Sequence, residues 1–217
     1  VDTKQPIQKT ILAKVLTVQE LVELKTIIPL IAKVDRASIL PMVDLAAPAL
    51  RLLSAEQQMA FAGVLNEVAK SDNTISRFEW VIISEIHKHL ANNKLNKISQ
   101  NANKKLTSVL SDAAIVLGAL SYSGAEVHGQ AKDAFKHGMQ VAGLKVSPIP
   151  KIDLCAMEEV HGALKTLQQL RFVEKQKFLG ACEACVEHDG MVTVAEAETI
   201  RAIGDVLDCP IPMFDLN

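Results

Sequence analysis

Residues 178–207 read FLGACEACVEHDGMVTVAEAETIRAIGDVL, and this stretch decides the fold class. Apolar side chains recur at helical spacing before the Asp-Gly dipeptide at 189–190, and again after Thr193. Intervals of three and four residues place such side chains on one face of an α-helix. The stretch therefore predicts two helices joined by a tight turn, which is an αα-hairpin.

An earlier segment, residues 61–90, aligns with this stretch without a gap and reads FAGVLNEVAKSDNTISRFEWVIISEIHKHL. In this alignment Asn73 takes the place of Gly190, and Ser76 takes the place of Thr193. Asn and Gly are the residues that most readily adopt positive φ, which ends a helix in a left-handed residue. We therefore expect two related, superposable hairpins with the same turn chemistry.

Four helix starts have the form of a capping box, in which a hydroxyl residue is followed three positions later by Glu or Gln. The pairs are Thr17 with Glu20, Ser54 with Gln57, Ser76 with Glu79, and Thr193 with Glu196. No convincing run of strand alternation accompanies them. The sequence predicts an all-α fold, a bundle of roughly eight to ten helices built around the two related αα-hairpins.

Asn and Lys predominate in residues 92–105, where few apolar side chains are available for burial. This composition predicts a basic linker between two helical halves. The N-terminal half, 1–91, contains the first hairpin repeat at 61–90. The C-terminal half, 106–217, contains the second repeat at 178–207.

Asp and Glu are absent from Ile86 to Ser111, so five lysines form a locally basic stretch. One interpretation is a solvated connection or an exposed helix face. The other is a contact with anionic lipid or with an acidic partner. The lysines are Lys88, Lys94, Lys97, Lys104 and Lys105.

The overall balance of charge excludes a dedicated nucleic-acid binder, because 23 Lys and Arg against 25 Asp and Glu leave a net charge of −2. The longest unbroken apolar run, Ala113 to Leu120, is shorter than the roughly 18 to 20 residues that span a bilayer. We therefore do not expect the chain itself to be a membrane segment. It begins at Val1 and not at Met, which fits a processed chain or a fragment of a longer protein.

Cys182 and Cys185, with His188 three residues further on, resemble half of a zinc site. The alignment places these cysteines at the positions of Leu65 and Val68, where we expect the first hairpin to bury aliphatic side chains. Cysteine behaves there as a small hydrophobic residue, so we expect both thiols in a core and not on a metal. Four irregularly spaced cysteines also favour a reducing compartment over a disulfide framework.

No catalytic motif is present in these residues. The six histidines include no His-Glu-x-x-His pair, which would place two imidazoles and a glutamate on one zinc ion. A phosphate-binding glycine loop and a Gly-x-Ser-x-Gly elbow are also missing. The sequence therefore predicts no catalytic residue and no enzyme activity for this chain.

Each hairpin turn carries two carboxylates, Asp72 with Glu79 and Asp189 with Glu196. If the hairpins face one another, the four carboxylates could converge and bind a hard divalent cation such as calcium or magnesium. The alternative is purely structural. Asp in a turn and Glu at the third helical position are both explained by hydrogen bonds to the backbone.

The segment Leu179 to Pro212 resembles the closing segment of large bacterial HtpX-like membrane zinc metallopeptidases. In those proteins a helical region of the TerB-like type, named after tellurite-resistance protein B, follows the membrane-bound peptidase part. The motifs that carry the resemblance are Asp-Gly-x-Val-Thr-x-x-Glu at 189–196 and Asp-Cys-Pro-x-Pro at 208–212. Residues 71–80 and 115–120 resemble that region more weakly.

This resemblance implies a noncatalytic regulatory or protein-interaction domain of a membrane-bound zinc metallopeptidase. Zinc and its ligands are expected only in the peptidase domain of the parent protein. The implied partners are that peptidase domain or substrate proteins, together with an anionic membrane surface. The implied location is cytoplasmic, tethered to the inner membrane through the parent. The alternative is a TerB-like carboxylate metal-binding or metal-sensing module, whose pattern Asp189 and Glu196 match.

Overall fold

The computed structural model describes residues 4–91, 102–125 and 127–209, and within these ranges it contains α-helices and 3-10 turns but no β-strand. The predicted all-α fold is thus confirmed, with ten α-helices in the described ranges. The chain divides into two compact units, an N-terminal unit Val1–Leu95 and a C-terminal unit Asn96–Asn217.

The described part of the N-terminal unit contains five α-helices and one 3-10 turn. In this unit α5 packs against α3 and α4, and α1 packs against α4. The predicted capping boxes of α2 and α4 both form. The elements are α1 (Lys4–Ala13), α2 (Val18–Ile31), the 3-10 turn Arg36–Ser38, α3 (Ile39–Arg51), α4 (Ala55–Ala69) and α5 (Arg77–Ala91).

In the described residues of this unit, the buried apolar side chains come from three helices. In the described part of the unit, α1 and α2 contribute no buried side chain. The core is therefore built on α5, with α3 and α4 against it. Its members are Leu40 and Ala47 of α3, Ala69 of α4, and Trp80, Val81, Ile83, Ile86 and Leu90 of α5.

The other five α-helices lie in the C-terminal unit, within residues 102–125 and 127–209. Its α6 is the central helix, because α7, α8, α9 and α10 all contact it. The elements are the 3-10 turn Leu106–Val109, α6 (Leu110–Gly124), α7 (His128–Val141), the 3-10 turn Ile152–Cys155, α8 (Met157–Leu167), α9 (Phe172–Val186), the 3-10 turn Glu187–Asp189 and α10 (Val194–Val206).

The stretch Leu106–Gly124 is long and apolar enough to cross a membrane, with a mean hydropathy of 1.4. However, 56% of its apolar 18-residue window is buried inside the protein, and Val116 and Leu117 are completely inaccessible. Packing of α6 among four other helices therefore accounts for its apolar composition.

Both hairpin turns have the predicted backbone conformation. Asn73 has φ 63° and Gly190 has φ 80°, so each copy passes through a left-handed residue after its first helix. The next helix then starts with the predicted capping box, in which Ser76 bonds with Glu79 or Thr193 with Glu196. Local turn chemistry thus agrees between the two copies.

Burial differs between the copies. Phe178 is fully buried, whereas the matching Phe61 is 38% exposed. The expectation that the first hairpin buries Leu65 and Val68 is only partly right, because both side chains are half-buried. The reason is that α9 packs against both α6 and α7, whereas α4 has α1 and α5 as its principal neighbours.

Most of the predicted linker, residues 92–105, lies outside the described residues and stays a prediction. Its last part belongs to the C-terminal unit. The backbone N–H of Lys104 donates to the Gln169 carbonyl at 3.1 Å, and the Lys104 carbonyl accepts from the N–H of Arg171 at 3.1 Å. These bonds attach the chain just before α6 to the turn between α8 and α9.

Candidate functional site

Three residues that can ligate a metal come together in the N-terminal unit, namely Asp44, Glu85 and His89. Glu85 and His89 lie one turn apart on the same face of α5, because they are four residues apart. Packing of α3 against α5 brings Asp44 to the same place. Nε2 of His89 lies 3.1 Å from Asp44 Oδ1 and 3.1 Å from Glu85 Oε1.

These three ligand atoms all lie within 4.8 Å of one another, and the described parts of the chain contain no other such group of three. The Glu85 side chain is only 2% exposed and that of His89 10%, whereas that of Asp44 is 35% exposed. Glu85 and His89 therefore form the buried part of the group, and Asp44 forms the part that is open to solvent.

Two cationic side chains also contact this group. Arg51 Nη2 lies 3.3 Å from Nδ1 of His89, and Lys88 Nζ lies 3.4 Å from Glu85 Oε1. A guanidinium group can only donate hydrogen bonds, so a hydrogen bond from Arg51 requires that Nδ1 accepts and that the ring proton lies on Nε2. The Nε2 proton then faces both carboxylates, which share it.

This arrangement can exchange a proton for a metal ion. One imidazole nitrogen with two carboxylate oxygens suits a divalent ion such as Mn²⁺ or Zn²⁺ better than calcium or magnesium, which prefer oxygen alone. A metal on Nε2 requires the ring proton to move to Nδ1, where it would face the guanidinium of Arg51. Arg51 therefore competes with a metal at this group.

The predicted ligands Asp72 and Glu79 serve the backbone of the first hairpin turn. Asp72 Oδ1 accepts from the N–H and the hydroxyl of Thr74, at 3.2 and 3.1 Å. Glu79 Oε2 accepts from the N–H and the hydroxyl of Ser76, at 2.9 and 2.7 Å. These bonds are those that the structural alternative predicts.

Asp189 and Glu196 bond in the same way in the second turn. Asp189 Oδ1 accepts from the N–H of Met191 at 3.0 Å, and Glu196 Oε2 accepts from the N–H of Thr193 at 2.9 Å. Both acids line one small cavity of about 20 Å³, together with Gln130 and other residues. Such a cavity has room for about one water molecule or ion.

The two predicted carboxylate pairs lie in different units, Asp72 and Glu79 in the N-terminal one and Asp189 and Glu196 in the C-terminal one. Convergence of all four carboxylates on one cation therefore stays a prediction. Within the C-terminal pair, Glu196 is 3% exposed and its second oxygen lies directly against the backbone of Gly124 in α6.

The five predicted contact lysines are distributed over both units. Lys88 is half-buried beside Glu85, and Lys105 is exposed. Lys104, whose backbone bonds to Gln169 and Arg171, is half-buried. Lys94 and Lys97 lie outside the described residues. A contact of this stretch with lipid or an acidic partner stays a prediction.

Cys182 and Cys185 lie in the core as predicted, with exposures of 0% and 4%. Burial raises the pKa of the Cys185 thiol to about 11 and also raises the pKa of Cys182 well above its ordinary value. The Sγ of Cys185 donates to the Ala134 carbonyl at 3.4 Å. Protonated thiols in this environment are poor metal ligands, because the thiolate is the form that binds.

The group of Asp44, Glu85 and His89 was not predicted from the sequence. The spacing of Glu85 and His89 on one helix face was a usable signal, since it places two ligands side by side. Asp44 had no comparable signal. It lies 45 residues from His89 and meets it only through the packing of α3 on α5.

The comparisons with known proteins found no match for this chain. No protein-family model matches it, and neither a curated protein nor a solved structure does. The resemblance to the TerB-like region of HtpX-like metallopeptidases therefore rests on the quoted residues alone.

Proposed function

We propose that this chain is a noncatalytic protein-interaction domain that docks through helix α2. The observation that supports this function is the exposure of α2, whose 14 residues include none that is buried. The resemblance to the C-terminal region of HtpX-like zinc metallopeptidases suggests the parent protein, held at the cytoplasmic face of the inner membrane.

Helix α2 is apolar around its whole circumference. Its exposed aliphatic side chains occur on every side of the helix and not on one stripe. A helix of this kind is normally buried, because burial removes the apolar surface from water. The side chains and their exposures are Val18 81%, Val22 52%, Ile27 48%, Ile28 52%, Leu30 62% and Ile31 40%.

The charges on α2 favour a protein partner over a lipid surface. The helix carries Glu20 and Glu23 against a single Lys25. Helices that lie on anionic membranes have several Lys and Arg on their polar face. An apolar groove in a protein fits this helix better, as in complexes where a helix inserts into such a groove.

The partner that we propose is the peptidase domain of the parent protein or a protein substrate that it recruits. A photo-crosslinking residue in place of Leu30 should form a specific crosslink to a polypeptide that contains a His-Glu-x-x-His motif, or to a substrate of it. The same residue in place of Lys165, which is exposed on α8, is the matched control. The purified chain should not cleave casein.

The variant Leu30→Glu should abolish that crosslink when the reporter is placed at Ile27, while the helical circular dichroism stays unchanged. Sedimentation of the purified chain gives an independent check. If the chain forms a concentration-dependent dimer that Leu30→Glu disrupts, the partner of α2 is a second copy and the docking proposal is wrong.

A second candidate function, a metal-binding or metal-sensing module, is favoured by the convergence of Asp44, Glu85 and His89. At this group we expect Mn²⁺ or Zn²⁺ in place of the calcium or magnesium expected from the sequence, because an imidazole nitrogen is one of the ligands. The proposed site then lies between α3 and α5 and not in the hairpin turns.

Calorimetric titration with Mn²⁺ and Zn²⁺ tests this second function. Binding should disappear in Asp44→Asn and in His89→Gln, and should become tighter in Arg51→Ala because the competing guanidinium is gone. Asp72→Asn and Asp189→Asn are controls in the two hairpin turns. Loss of binding in those controls, with Asp44→Asn unaffected, would return the metal to the turn carboxylates.

A further inference from the structure

A cleft of about 680 Å³ opens in the C-terminal unit between α7 and residues 146–153, which follow that helix. All of its lining residues belong to this unit. Sites for small molecules have volumes of roughly 300–1,000 Å³, so the cleft has the size of such a site.

Helix α6 holds the wall of the cleft in place. The Tyr122 hydroxyl donates to the Pro150 carbonyl at 2.9 Å. Gly118 has no side chain at the point where a Cβ would lie 2.9 Å from Cys155 Sγ and 3.3 Å from Cδ of Pro150. The segment can therefore lie directly on α6, and the prolines at 148 and 150 restrict its backbone further. The cleft is thus preformed.

The cleft offers an apolar surface to a ligand. Phe135 is buried and contributes to the lining from α7. The opposite wall contains Val146, Pro148, Ile149 and Ile152. Val146 is 42% exposed and Ile152 is 63% exposed, so an apolar ligand body would remove both from water.

The charged groups that line the cleft are mostly positive. Lys132 and Lys136 lie four residues apart on one face of α7, and Lys151 lies on the other wall. None of the three lysine ammonium groups forms an ion pair or hydrogen bond with a described residue. Asp153 is the one acid of the lining, and His128 adds a titratable ring one turn before Lys132.

We propose that this cleft binds a small amphipathic phosphate from solution. Its phosphate group would pair with Lys132, Lys136 and Lys151, since ammonium groups are compact charges that bind phosphate well. Its apolar body would lie against Val146 and Ile152. Charge complementarity selects an anion, and the apolar walls select against inorganic phosphate alone.

Octyl phosphate, below its micellar concentration, is the probe. We expect saturable binding of one molecule per chain by calorimetry. Tyr122 is the only tyrosine and Trp80 the only tryptophan of the chain, so selective labelling gives one NMR signal from each unit. Tyr122 lines the cleft with its ring stacked on His128, at a centroid distance of 5.9 Å. Its signal should shift on binding while that of Trp80 stays in place.

Two further probes test the contributions of the phosphate group and of the apolar body separately. Inorganic phosphate lacks the body, and octyltrimethylammonium has the same body with the opposite charge. Both should bind at least about tenfold more weakly than octyl phosphate, because each lacks one half of the proposed contacts. Equal affinity for either probe overturns the proposal.

The double variant Lys132→Gln/Lys136→Gln should weaken octyl phosphate binding at least about tenfold. Lys165→Gln/Lys177→Gln removes two exposed lysines elsewhere in the same unit and should bind normally. Since all four lysines are exposed, both variants should keep the wild-type melting temperature. The proposal is wrong if the two double variants bind equally well. It is also wrong if only phosphatidic acid vesicles, and not soluble octyl phosphate, bind to the chain.

Discussion

Gly138 of α7 lies directly against Cys185 of α9. A Cβ at residue 138 would overlap the Sγ of Cys185 and would lie 2.9 Å from the carbonyl oxygen of Ala181. The two helices are therefore closer at this point than any residue with a side chain would allow. The buried thiol of Cys185 occupies the space that a side chain at residue 138 would need.

Gly138→Ala is expected to destabilise the chain by about 1–3 kcal/mol, because the added methyl group forces α7 and α9 apart. The measurement is the free energy of unfolding from urea denaturation. Gly162→Ala, in the interior of α8, is the matched control because nothing lies within 4 Å of its added methyl group. That variant should be more stable by about 0.5–1 kcal/mol. Stabilisation by both substitutions would contradict the close contact.

Gly190→Val should destabilise by about 1–3 kcal/mol, since Gly190 has φ 80° and a β-branched residue is strained there. Asn73→Val tests the equivalent turn and should show a similar loss in thermal or urea unfolding. Asn73→Gly keeps the left-handed conformation available and should stay within about 1 kcal/mol of wild type. Tolerance of valine at both positions would argue against the shared turn.

The Cys185 thiol is expected to make stability fall at alkaline pH. Its pKa is raised by burial from an ordinary 9.0 to about 11 in the folded chain. Between these values the unfolded chain has lost the thiol proton that the folded chain retains, so unfolding becomes more favourable as pH rises from 9 to 11. Urea denaturation across this range should show the decline, and Cys185→Ala should show a shallower one. Identical slopes would mean that Cys185 does not titrate as its burial requires.

His89→Ala should destabilise by about 1–3 kcal/mol, because the buried carboxylate of Glu85 then loses the Nε2 proton that faces it. In a Glu85→Gln background the same substitution should cost less, since a neutral amide is easier to leave in place. Urea denaturation of the four proteins gives the coupling energy, expected to be at least about 0.5 kcal/mol. Glu56→Gln, an exposed position on α4, should combine additively with His89→Ala. Additivity with Glu85→Gln as well would show that the two side chains are independent.

Local features of the fold could be predicted from the sequence because their hydrogen bonds join residues close in the chain. The capping bonds of Thr17 with Glu20 and of Thr193 with Glu196 join residues only three positions apart. The positive φ of Asn73 and Gly190 follows from the intrinsic preferences of those residue types. Such features depend little on what the rest of the chain does.

The candidate sites depended on contacts between distant residues. Asp44 and His89 meet across two helices, and Tyr122 reaches Pro150 across 28 residues. Neither contact is visible in the spacing of residues along the chain. The resemblance implied a metal site at Asp189 and Glu196, whereas the group of three ligand atoms in the described residues lies at Asp44, Glu85 and His89.

The sequence by itself determined the helical fold class, four of the helix starts and the left-handed turns, because these follow from bonds within a few residues. Only the tertiary structure decided which copy of the repeat is buried: Glu196 is 3% exposed, whereas the equivalent Glu79 is half-buried. Two copies with the same local chemistry differ in this way because burial depends on the helices that surround each one. Helix α9 packs against α6 and α7. The carboxylate of Glu196 packs against the backbone of α6 at Gly124, where there is no side chain.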